Sequence, residues 1–138
     1  MLESRSPGAL LVAIVCMALS GPVCSDAGQD SGWLSAEGYY RVSVDSRLDP
    51  IVINRIHSWV IRVTTASGEP VSDAMLTVGG GMPVHDHGMP TNPRMTRNYG
   101  DGRYLIEGMR FHMNGDWEIA VEIVVQDRHD AVVILLTL

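Results

Sequence analysis

The chain has 138 residues, with ten arginines and no lysine against sixteen acidic residues, for a formal net charge of −6. That balance argues against nucleic acid as a partner, since such binding depends on clustered cations that neutralise phosphates. Cys16 and Cys24 both lie near the N-terminus, so the body of the chain has no thiolate for metal ligation or thiol redox chemistry.

The apolar run from Ala9 to Leu19, followed by Ser20, Gly21 and Pro22, has the character of a secretory signal peptide, although its charged start, Met1-Leu-Glu-Ser-Arg5, is weak. Val23-Cys24-Ser25 places small residues at a cleavage point, which makes residues 1–25 the signal and Asp26 the mature N-terminus, with Ala27 a second possible end point. An uncleaved anchor is the lesser reading, because a spanning helix needs roughly 20 apolar residues. Pro22 and Val23 stand where a bacterial lipoprotein signal has small residues, which argues against lipidation of Cys24. The implied location is periplasmic or otherwise extracytoplasmic, and what remains suffices for one modest core.

Residues 26–38 are rich in glycine and serine and read as a flexible leader, with the folded domain at 39–138. Tyr40-Arg-Val-Ser-Val44 begins an alternating pattern and predicts a first strand. In His57–Thr64 the residues Trp59, Ile61 and Val63 share one face by period two. Ala66-Ser-Gly-Glu-Pro70 punctuates the chain before a short strand at Ala74–Val78, after which the glycines at 79–81 release it into a loop. Pro83, Pro90 and Pro93 discourage a helix there. Asp101-Gly102 marks a turn into Arg103–Glu107, and Gly108 suggests a bulge. Beyond it, Met109, Phe111 and Met113 are expected on one strand face and Arg110 and His112 on the other. Asn114-Gly115 carries a hairpin signal. Trp117, Ile119, Val121 and Ile123 then face a core, residues 127–130 turn, and 131–138 form a last apolar strand. Six or seven strands without a persuasive helix predict an all-β, antiparallel, immunoglobulin-like sandwich.

The chemistry concentrates in Gly79-Gly-Gly-Met-Pro-Val-His-Asp-His-Gly-Met-Pro90. His85 and His87 share a face if the backbone between them is extended, and Met82 and Met89 bracket the pair. Imidazole and thioether donors suit copper, as Cu(I) or, with oxygen donors, Cu(II). Met113 adds a sulfur from a later strand, at an end of the sandwich where it and the loop can meet, whereas Met109 on the same face reads as core. A His-x-His pair alone is not specific, and its plain alternative is a polar loop without an ion. Zinc is the competing metal, although His85, Asp86 and His87 cannot all point inward from an extended loop. His112 is read as an outer partner or a solvent-facing residue, and His57 and His129 as polar boundary positions.

An enzyme is the least supported class. His85 or His87 could act as a base near Asp86 or Asp101, but no serine or cysteine is placed as a nucleophile. A metal-free interaction or assembly domain is the main alternative, with Trp33, Tyr39 or an exposed strand edge as its contact surface.

The segment Met82-Pro-Val-His-Asp-His-Gly-Met-Pro-Thr91, then Gly102-Arg-Tyr104 and Gly108-Met-Arg-Phe-His-Met-Asn-Gly-Asp-Trp117, resembles the YtkA-like family, which is similar in character to exported FixH-like and CopC-like β domains. The resemblance covers roughly residues 56–125 and takes in Gly68-Glu-Pro-Val71 and Ala74. It implies an extracytoplasmic sandwich concerned with copper handling or with the assembly of a respiratory enzyme. The implied partners are a copper ion and a recipient metalloprotein or membrane-associated respiratory complex. Carried onto this chain, the pattern points to Met82, His85, His87 and Met113, with Met89 a further local candidate.

Overall fold

A computed structural model describes residues 32–138. The signal-peptide reading, residues 26–31 of the leader and both cysteines lie outside the described residues.

The strands are β1 (Trp33–Leu34), β2 (Tyr40–Ser46), β3 (His57–Thr65), β4 (Met75–Met82), β5 (His87–Gly88), β6 (Arg94–Asn98), β7 (Arg103–Met109), β8 (Asp116–Val125) and β9 (Arg128–Thr137). They form two antiparallel sheets, one in the order β1-β2-β3-β7-β6 and the other β5-β4-β8-β9. This is the expected all-β sandwich. The expected alternation is also present, because Trp59, Ile61 and Val63 of β3 and Trp117, Ile119, Val121 and Ile123 of β8 are all buried. Phe111 and Met109 complete the middle of the core. The Tyr104 hydroxyl lies inside it, donating to the Val71 carbonyl at 2.6 Å and accepting from the Ala74 N–H at 3.0 Å. Burial pushes this phenol above its ordinary range.

Several expectations from local pattern are corrected. Trp33 and Leu34 pair with Val42 and Arg41, so the fold begins inside the segment read as leader. Ser35 is buried there, and its hydroxyl donates to Asp130 of β9 at 2.6 Å. The same carboxylate accepts the N–H groups of Glu37, Tyr39 and Ala131. Burial alone would raise the Asp130 carboxyl, but these donors outweigh it and hold the group below the usual carboxylate range.

The glycines at 79–81 do not release the chain. They continue β4 along β8, where Gly79, Gly80 and Gly81 lie opposite Ala120, Ile119 and Glu118. Arg94–Asn98, for which local pattern predicts no element, forms an edge strand beside β7. β9 starts at Arg128, earlier than the expected turn allowed.

The last correction matters most for function. Strand β7 ends at Met109, and residues 110–115 are irregular. Gly108, at φ 88°, is the bulge residue, left unpaired while His57 lies opposite Met109 and Ser58 opposite Glu107. Asn114-Gly115 does not close a hairpin, because β7 and β8 belong to different sheets and this stretch carries the chain across the end of the sandwich.

Candidate metal centre at one end of the sandwich

The His-Met loop is short and tightly folded. After β4, Pro83–His85 makes a single 3₁₀ turn, closed by the Asp86 N–H donating to the Pro83 carbonyl at 3.3 Å. Asp86 adopts a left-handed backbone at φ 51°, a conformation that a short polar side chain tolerates better than most. The chain then doubles back, with His87 opposite Met82 and Gly88 opposite Gly81. Gly81 permits that return, since a β-carbon there would stand 2.8 Å from the His87 carbonyl oxygen.

The extended backbone expected between His85 and His87 is therefore absent. The two rings nevertheless stack, with centroids 5.8 Å apart and planes inclined by 15°. His85 is exposed and His87 half-buried. Opposed residues on adjacent strands share a sheet face, so the buried Met82 side chain lies on the same side as the His87 ring. Beneath them Met82 reaches toward the crossover, where a β-carbon on Gly115 would stand 2.7 Å from its methyl carbon.

The crossover supplies a residue that sequence periodicity assigned elsewhere. The His112 ring lies 4.7 Å from that of His87, inclined by 47°. The Nδ1 atoms of both rings are buried and have no hydrogen-bond partner. Trp117 forms the wall behind them, its ring 5.5 Å from His112 and 6.3 Å from His87. The indole N–H donates to the Met113 carbonyl at 3.1 Å, which ties the crossover to β8. Irregularity between Gly108 and Asn114-Gly115 was the available sign that period two would fail at His112.

The other proposed sulfur donors are placed less directly. Met113 and Met89 are both half-buried against the core. Met89 also lines a groove with Thr91, Asn92 and Pro93 on the far side of β5. Asp86 is exposed in the turn, and with His87 and Glu118 it lines a shallow cleft beside the loop. Among the described residues, no three histidine, cysteine or carboxylate side chains are gathered closely enough to hold an ion without thioether help or movement. His57 stands apart, buried against Phe111 with its Nδ1 3.1 Å from the Arg55 carbonyl.

A family model described as YtkA-like matches residues 35–122, most of the chain and all of this site. The chain belongs to the YtkA-like family. The match begins at the buried Ser35, so the family unit includes part of the segment that composition marked as leader. No curated protein matches this YtkA-like chain. Among solved structures it is similar to the ZirS C-terminal domain, at 12% identity and a TM-score of 0.44, covering 96% of this chain and 86% of that one. No helix among the described residues is long and apolar enough to cross a membrane.

Proposed function

We propose that this YtkA-like domain is an extracytoplasmic copper-binding or copper-delivery module, a binder rather than a catalyst. The observation that carries the reading is the pair His87 and His112, two facing imidazoles whose buried Nδ1 atoms lack partners. A buried polar atom without a partner is unfavourable by about 1–3 kcal/mol. A shared metal ion would satisfy both nitrogens at once. Met82 on the same sheet face supplies a soft thioether, and His85, stacked on the solvent side of His87, supplies a further imidazole as an ion enters or leaves.

This donor set suits copper better than zinc. The described residues contain no cysteine, and zinc's usual four-coordinate set of imidazole, thiolate and carboxylate is not gathered there. Two imidazoles with a thioether match the preference of Cu(I). The carboxylates of Asp86 and Glu118, which line the cleft beside His87, favour cation approach from solvent. Trp117 shields the inner side of the imidazole pair from water. A site on an exposed loop, closed behind and open in front, suits exchange with a recipient metalloprotein, including one in a membrane-associated respiratory complex.

The test is titration of the processed protein with Cu(I) and with Cu(II), followed by competition with chelators and by Trp117 emission, beside a His87→Ala/His112→Ala double variant. Wild-type binding at one equivalent, lost in the double variant, is the expected result. Equal, weak binding by both proteins would sink the copper reading.

A further inference from the structure

The two sheets have four edges, and three are protected against strand addition. β1 and β5 have two residues each, and β6 carries exposed Arg94 and Arg97. Short edges and exposed charges are recognised ways of blunting edge pairing. The fourth edge, β9, is ten residues long and, among the described residues, forms a strand ladder only with β8. From Ala131 to Leu138 it contains no charge, proline or glycine.

The backbone of β9 is half covered. The Ala131 carbonyl accepts the Ala36 N–H at 2.9 Å, and the Ala131 N–H donates to the Asp130 carboxylate at 2.8 Å. The backbone groups of Ala131 therefore point away from β8. Alternation along a strand gives Val133, Leu135 and Thr137 the same outward direction. Among the described residues, nothing hydrogen-bonds to the outward backbone N–H and C=O groups of those three. Their side chains lie on the solvent face, with Val133 55% and Leu135 71% exposed. Val84, 86% exposed at the tip of the His-Met loop, lines a groove with Leu135 and Thr137.

We propose that the open half of β9 is an interface between two copies of this chain, which join edge to edge into one continuous sheet. The cap on Ala131 sets the register. An antiparallel partner strand must stop before that residue in each copy, and the pairing that uses all the open groups is two-fold symmetric about Leu135. Leu135 then lies opposite its own copy, and Val133 opposite Thr137. The strip is uncharged, so self-pairing meets no like-charge repulsion within it. The carboxylate next to the strip, on Asp130, is engaged by the Ser35 hydroxyl and the N–H groups of Glu37, Tyr39 and Ala131, and those on Asp116 and Glu118 of β8 are kept apart by the two β9 strands between them. Two His-Met loops would flank this shared sheet, but the interface itself uses no metal ligand.

The test is sedimentation of the protein, expressed as the full chain and purified as the host processes it, from low micromolar to millimolar concentration. It includes Leu135→Lys and a Leu135→Cys variant in which Cys16→Ser and Cys24→Ser remove the native thiols. A shift from monomer to dimer with rising concentration is expected. Leu135→Lys should abolish that shift while leaving the melting temperature of the dilute monomer and the copper titration unchanged, because the side chain is exposed and is not among the proposed ligands. Directly opposed hydrogen-bonded residues have Cα atoms about 5.5 Å apart, within disulfide reach, so the cysteine variant should cross-link to a covalent dimer on oxidation. Val133→Cys alone should not, whereas a mixture of Val133→Cys and Thr137→Cys chains should. A monomer at every concentration overturns the proposal, whether residues 1–31 or a foreign strand occupies the edge. A dimer that Leu135→Lys leaves intact, or that the cysteine register fails to trap, overturns it equally. Neither result bears on copper binding, which the His87→Ala/His112→Ala variant tests separately.

Discussion

Met82 and Gly115 are locked together at the end of the sandwich, where the thioether methyl occupies the space that any larger residue at 115 would enter. Gly115 also holds φ 127°, a conformation that residues with a β-carbon rarely adopt. Gly115→Ala is therefore expected to destabilise the fold by about 1–3 kcal/mol, chiefly through backbone strain, since the Met82 methyl at the end of a flexible side chain can shift, measured by denaturant unfolding. It should also weaken Cu(I) binding by displacing Met82. Met82→Leu separates the two effects. Its near-equal volume keeps the loss of stability below about 1.5 kcal/mol, while Cu(I) affinity falls with the missing sulfur.

The histidines are expected to rank by position. His87→Ala and His112→Ala should each weaken copper binding by at least about 10- to 100-fold, the range found even for groups that only support a ligand. His85→Ala should do less, because its ring is exposed and stacks only on the outer side of His87. Chelator competition with each single variant checks the order. If His112→Ala binds like wild type, the ion is held by the loop alone.

Asp130 ties the first described residues to β9, and its lowered carboxyl pKa makes stability dependent on acid. A carboxylate depressed on folding stabilises fully above its unfolded pKa, about 3.9. That contribution is lost as pH falls through the lower folded value. The wild type should therefore lose stability below about pH 4, and Asp130→Asn should flatten that part of the profile. At neutral pH the substitution should cost about 2 kcal/mol, as expected when hydrogen bonds to a charged group are removed. Urea melts over a pH series would show both effects.

Tyr104 gives the opposite pH behaviour. Its phenol is raised by burial and is needed protonated to donate to the Val71 carbonyl. Stability from this group is full below the unfolded pKa of about 10 and is lost as pH rises through the higher folded value. Tyr104→Phe removes both hydroxyl contacts and should cost about 1–3 kcal/mol without altering copper affinity, since the residue lies in the strand layers away from the loop. Thermal melts at neutral and alkaline pH check this.

The sequence by itself determined the strands with strong alternation and the class of fold they build. In β3 and β8, period two placed Trp59, Ile61, Val63, Trp117, Ile119, Val121 and Ile123 inward, and all seven are buried. It also singled out the His-Met loop, because two imidazoles and two thioethers close together on proline-bounded backbone are conspicuous in any fold. Only the tertiary structure decided that His112 joins His87. Periodicity holds where a ladder of backbone hydrogen bonds constrains each residue, and between the Gly108 bulge and Gly115 the chain leaves one sheet for the other. There a side chain's direction is set by what it packs against, here His87 and the Trp117 ring. The β1 strand and the Asp130 network escaped local reading for the same reason, since their partners lie far along the chain and a polar, glycine-containing segment becomes ordered only once β2 and β9 are in place.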